Sequence, residues 1–172
     1  MAWTAPDINR VNEHFTADER TTLEEFLDWY RATLLHKCAG LTAEQLAQRA
    51  VPPSNLSLLG LIRHMTDVER SWFRIRFGGE EVPRRYDRDG QDPDFDDAKP
   101  ATAEADYAAL VSEVELCRAA TAGHDLDETF LHTRAGRQIS LRWVYVHMIE
   151  EYARHAGHAD LLRERLDGSK GS

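Results

Sequence analysis

Cysteine is scarce in this chain: there are two in 172 residues, Cys38 and Cys117. Two distant cysteines do not make a disulfide framework in a chain of this length. Positive charge is also short, with 21 bases against 30 acids and a formal charge of −9. Nucleic-acid binding is therefore disfavoured, because phosphate contacts need a basic surface. No apolar run approaches the ~20 residues of a membrane helix. The start, Met1-Ala2-Trp3-Thr4-Ala5-Pro6, lacks a basic segment and an apolar segment, so no signal peptide is expected. No G-x-S-x-G, Walker or dinucleotide glycine pattern occurs, and no internal repeat. Lysine is rare, with Lys37, Lys99 and Lys170 as the only three, which hints at a GC-rich coding sequence. What is left is an acidic cytoplasmic chain, 42% hydrophobic, long enough for one domain with its own core. That domain is expected over 1–168, with a disordered tail at 169–172.

Hydrophobic spacing predicts four helices. The first spans about Ala17 to Lys37, with Thr16 or Thr21 as cap, Leu23, Phe26, Leu27, Tyr30 and Leu34 as stripe, and Gly40 as stop. A connector from Leu41 to Leu56 holds the capping-box pattern Thr42-Ala43-Glu44-Gln45 and Pro52-Pro53. The second helix spans about Ser57 to Phe77, with Leu58, Leu61, Met65, Val68, Trp72 and Ile75 on its apolar face. Residues 80–100 read as a long surface crossover, with three prolines and six aspartates between Asp87 and Asp97. The third helix spans about Thr102 to Ala122. A small hairpin follows around Ala135-Gly136, and the fourth helix runs from about Leu141 to Leu166. The fold class is all-α: a four-helix bundle with a long crossover between helices two and three.

The fourth helix carries the anomaly. Each residue advances a helix by ~100°, so from His147 as zero, Glu151 lies at ~40°, His155 at ~80° and His158 at ~20°. Val144 and Leu162 fall at ~60°, Met148 at ~100° and Ala159 at ~120°. Glu151 and His155 are thus expected in the middle of the buried stripe, with His147 and His158 at its edge. A buried carboxylate neutralises, pairs or binds a metal. On the second helix, His64 falls with the apolar residues, while Arg63, Asp67, Arg70 and Arg74 take the opposite, solvated face. His64, Glu151 and His155 would make a two-histidine, one-carboxylate site with open positions, suited to Zn²⁺, Ni²⁺, Mn²⁺ or Fe²⁺. The rival reading pairs Glu151 with an arginine such as Arg63. Substitution of a ligand by His147 or His158 stays open.

The run from His147 to Arg163, read with Leu61-Ile62-Arg63-His64-Met65-Thr66-Asp67-Val68-Glu69-Arg70, resembles the DinB-like (DinB/YfiT) superfamily. His64 matches its histidine on the second helix, Glu151 and His155 its paired ligands on the last, and His155-Ala156-Gly157-His158 the signature that follows. Glu151 stands where many relatives carry histidine; the mycothiol-dependent isomerase branch is similar to this chain in having glutamate there. The resemblance implies one divalent ion, with zinc or nickel foremost, and a low-molecular-weight thiol such as mycothiol. It implies S-transfer or isomerisation of a small electrophile. A homodimer is expected on separate grounds, since bundles with apolar outer patches often dimerise. The alternative is a non-catalytic metal- or ligand-binding bundle, or a dimeric interaction module of the stress-response type.

The remaining features read as structure. Asp87-Arg88-Asp89-Gly90-Gln91-Asp92 fails the calcium-loop spacing, and a solvated acidic loop at the bundle mouth is expected. Cys38 and Cys117 are packing or surface residues, and Tyr152 is packing or an outer hydrogen-bond donor to the site. His14, His36, His124 and His132 are ordinary surface or loop residues.

Overall fold

A computed structural model describes residues 2–11, 14–86 and 92–170. The acidic run 87–91 and the last two residues of the expected tail lie outside the described residues. The chain is mostly helical with one small antiparallel sheet. Helix α1 is Glu19–Cys38, and its cap is Asp18, not a threonine: the Asp18 carboxylate accepts the Thr21 amide. The expected capping box opens the short α2, Ala43–Ala47, with Thr42 and Gln45 exchanging both bonds. Helix α3, Leu58–Glu69, starts at Ser57 and continues without a break as a π-helical segment, Arg70–Phe77. After the short α4, Pro93–Asp96, come α5, Ala103–Thr121, and strands β1, Thr129–His132, and β2, Arg137–Ser140. The strands pair from Thr129 opposite Ser140 to His132 opposite Arg137. Helix α6, Leu141–Asp167, is capped by Ser140 and stopped by Gly168 at φ 80°, a conformation that favours glycine. No described helix is long and apolar enough to cross a membrane.

Helix α1 packs against α6, and α3 packs against α5 and α6. Leu27 and Leu34 of α1, Leu61 and Met65 of α3, Leu110 of α5 and Val144 and Met148 of α6 are buried between them. Burial of this apolar surface drives the assembly, at roughly 25 cal/mol per Å².

Two expectations about the second helix and its crossover are corrected. The face carrying Arg63, Asp67, Arg70 and Arg74 is not solvated, because the crossover and α5 cover it. The Arg63 guanidinium donates to Asp106 at 3.1 Å and to the Pro93 and Asp94 carbonyls at 2.9 Å. Asp67 accepts the backbone amides of Arg85 and Tyr86 at 2.6 and 2.8 Å. Arg70 and Arg74 both donate to the buried Glu113. Nor is the crossover wholly surface: Tyr86 and Pro93 are buried, and α4 lies on α3. Gly60 permits that seat, since a Cβ there would stand 2.6 Å from Phe95 Cδ1 and 3.3 Å from Phe95 Cα.

Candidate metal centre

Helix α3 supplies His64, and α6 supplies Glu151 and His155. One donor atom from each lies within 4.8 Å of the other two. The His64 and His155 rings meet edge to face, with centroids 4.8 Å apart. The Nε2 of His155 is 3.5 Å from Glu151 Oε2. The outer nitrogens of both imidazoles are engaged. His64 Nδ1 is 3.0 Å from Asp94 Oδ2, and the ring stacks on Phe95. His155 Nδ1 is 3.3 Å from His158 Nδ1, within hydrogen-bond reach. With the proton on the Nδ1 of His64 and of His155, Nε2 of each is left for the cluster, the arrangement in which a carboxylate or other outer partner fixes a metal-binding imidazole.

The whole constellation lies inside one family match: the Mycothiol-S-transferase profile covers residues 22–168. The chain belongs to the Mycothiol-S-transferase family. This is the mycothiol-associated branch of the DinB-like proteins to which His64, Glu151 and His155 pointed. Among curated proteins, none matches the chain at a significant level.

Electrostatics keep the Mycothiol-S-transferase cluster receptive to a cation. Burial, followed by the positive potential of His64, His158 and Arg154, lowers the pKa of His155 to about 4. Its imidazole is therefore neutral at physiological pH, the form that can ligate. Burial alone would raise the Asp94 carboxyl, but the hydrogen bond and charge of His64 outweigh it and hold Asp94 below its ordinary value. Asp94 thus stays ionised behind His64.

Glu151 is not in the middle of the stripe. Leu141, Tyr145, Tyr152 and Ala156 are also buried on α6, at ~120°, ~160°, ~140° and ~180° in the projection used above. They move the stripe's centre to ~120°, so Glu151 sits at its rim with 17% of its side chain exposed. Rim placement suits a ligand better than mid-core placement, since a substrate can reach it. Arg63 is not its partner, being committed to Asp106. A fully buried carboxylate between the helices is Glu69, held by two nitrogens of Arg31 at 2.7 Å and by the Tyr152 hydroxyl at 2.9 Å. Tyr152 therefore serves that network.

His147 gathers a second group with Glu150 and Glu151, its Nε2 lying 3.8 Å from Glu151 Oε1. Glu150 is exposed and bonded to Arg154. His158 faces His155 Nδ1 and so stands behind a ligand. His132 is not an ordinary loop residue: its ring stacks on Trp72. Asp94 was missed by sequence reasoning. The signal for it was Phe95, a lone apolar anchor among aspartates two residues after Pro93, a proline that can open a helix.

Proposed function

We propose that the chain is a divalent-metal-dependent S-transferase, with zinc or nickel held by His64, Glu151 and His155. In this reading the four long helices form one bundle, and the sulfur comes from a low-molecular-weight thiol of the mycothiol type. The observation that carries it is the convergence of two neutral-capable imidazoles and one carboxylate within 4.8 Å, inside a Mycothiol-S-transferase match. Two nitrogens and one oxygen leave coordination positions open, as catalytic sites do and closed structural sites do not. When bound, the ion would lower the pKa of a thiol and fix its sulfur. Asp94 and Phe95 hold the His64 ring in place, His158 holds His155, and Glu151 offsets part of the cation's charge. The chain's own sulfur is an unsuitable nucleophile. Burial pushes the Cys38 thiol up to about 12 and the Cys117 thiol higher still. An external thiol therefore fits better than a cysteine nucleophile. The family name favours transfer over isomerisation.

Elemental analysis by plasma mass spectrometry tests the proposal. Wild type should carry about one ion per chain and His155→Ala none, and the loaded wild type should consume mycothiol in the presence of an alkylating electrophile. No metal in either protein after reconstitution with Zn²⁺ and Ni²⁺ overturns the reading. Metal without thiol consumption favours the non-catalytic bundle. That second reading has its own support, since Asp94 and His158 give each ligand histidine a partner without an ion. The homodimer belongs to the proposal too, and a mass of 19.6 kDa in light scattering would remove it.

A further inference from the structure

A second concave site lies next to the candidate metal centre, between the hairpin and the helices. Its volume is about 410 Å³, and Trp72, His132, Arg137, Ile139 and Trp143 line it. The aromatic rings are set as walls. Trp72 stacks on His132 at 5.4 Å and 20°, Trp143 stacks on His147 at 4.9 Å and 15°, and the two indoles meet at 5.3 Å. Trp143 is 45% exposed, so an indole is presented where a core would have hidden it. The His147 side chain links the pocket's walls to the centre. His147 touches both tryptophans, and its Nε2 stands 3.8 Å from Glu151 Oε1.

Charge separates this place from the rest of an acidic molecule. The interior arginines are answered by carboxylates, as with Arg31, Arg63 and Arg74. Around the pocket the pattern fails. Arg76 lies over the Trp72 ring at 4.6 Å and donates to a neutral hydroxyl, that of Ser71. Burial chiefly, and then the charges of Arg84 and Arg134, push the Arg76 pKa down. Arg134 and Arg137 make no ion pair among the described residues. An arginine such as Arg137, lining the pocket beside aromatic walls, suits a planar anion, which stacks and pairs at once.

We propose that this pocket binds the acceptor of the transfer reaction and selects a planar aromatic electrophile carrying a carboxylate or sulfonate, with its ring against the tryptophan walls, chiefly the exposed Trp143, and its anionic group toward Arg137. The role of acceptor rests on the S-transferase reading above; the binding preference does not.

Calorimetric titration of the chelator-stripped chain with 1-naphthalenesulfonate, and with neutral 1-naphthalenemethanol, tests the preference without metal or turnover. The sulfonate should bind one per chain. Trp143→Ala should weaken it about tenfold, and Arg137→Gln should weaken it by a smaller factor while leaving the alcohol unchanged. His155→Ala should bind the sulfonate like wild type, although it loses the metal. Absence of sulfonate binding, indifference to Trp143→Ala, or equal affinity for the alcohol overturns the proposal. In the metal-loaded chain the sulfonate should compete with the electrophile. Competition with the thiol instead would take the acceptor role away from this pocket. Persistent sulfonate binding with no transfer at all would overturn the S-transferase reading and leave an anion site standing.

Discussion

Two sets of polar groups both draw on α3 and α6, the first reaching to Arg31 on α1 as well, and they are built on opposite principles. Around Glu69 every charge has an answer: Arg31 grips the carboxylate with two nitrogens, and Tyr152 adds a hydroxyl. Burial works against the Arg31 charge, yet Glu69 outweighs it and holds the guanidinium pKa well above its ordinary value. Around Glu151 the answers are missing. Its neighbours are His147 and His155, and His155 is held neutral. Satisfied buried charge is architecture; around Glu151 the donor atoms of His64, Glu151 and His155 converge on one another instead, which is what the proposed cation site rests on.

Cutting the first network should produce the larger loss. Glu69→Ala leaves the buried Arg31 guanidinium with only the more exposed Asp28, at 2.9 Å, as ion-pair partner, and breaking a buried pair costs up to ~3–5 kcal/mol. Urea denaturation should report a drop of that size. The double replacement Arg31→Met/Glu69→Leu should recover most of it, because a well-packed apolar pair can match a buried ion pair. A Glu69→Ala protein as stable as wild type would erase the contrast drawn here.

The second network answers to pH. His155 titrates near 6.5 when unfolded and at about 4 when folded. Between these values the unfolded chain binds a proton that the folded chain refuses. The metal-free protein therefore loses stability as pH falls through this window, by up to ~3 kcal/mol, and keeps it above pH 6.5. His155→Gln should flatten that part of the stability profile. An unchanged profile in the variant would show that the slope comes from elsewhere.

These two networks also mark the limits of reading the sequence. The convergence of His64, Glu151 and His155 was legible because residues on helices obey the 3.6-residue period and need no knowledge of loops. The long helices and the hairpin were legible for similar local reasons: apolar spacing, the Thr42/Gln45 box, Gly168 and Ala135-Gly136. Glu69 was passed over although Met65, Glu69 and Phe73 follow one another at i, i+4 on a buried face. The stripe of α6 was mis-centred because Tyr145 and Tyr152 were not counted as core. Asp94 was out of reach for a different reason. It acts on His64 from 30 positions away, through a four-residue helix too short for periodicity to reveal. The solvated face assigned to Arg63, Arg70 and Arg74 failed likewise, since their partners Asp106 and Glu113 sit on α5.

Asp94 offers a finer cut, through the support of a ligand and not the ligand itself. Asp94→Asn keeps the shape and removes the charge behind His64 Nδ1. Outer partners of this kind are worth ~10–100-fold in metal affinity. Chelator competition should show Zn²⁺ affinity falling within that range, with helical content unchanged. Affinity equal to wild type would mean that His64 does not ligate through the nitrogen opposite Asp94.

The smallest effect is expected outside both networks, at Arg154. It is exposed and bonded to Glu150 one turn away, and such pairs are worth ~0.3–0.5 kcal/mol. Arg154→Ala should therefore scarcely move the denaturation midpoint. Its charge still reaches His155, as the last of the influences that lower that pKa. Removing it makes protonation of His155 easier, so the midpoint seen in a histidine NMR titration should rise slightly, by far less than His64→Ala raises it. The two readouts separate what a surface charge does by contact from what it does by potential. Only the second couples the outer face of α6 to the cluster within. A titration of His155 that ignores Arg154 would confine the control of that imidazole to burial and to its histidine neighbours.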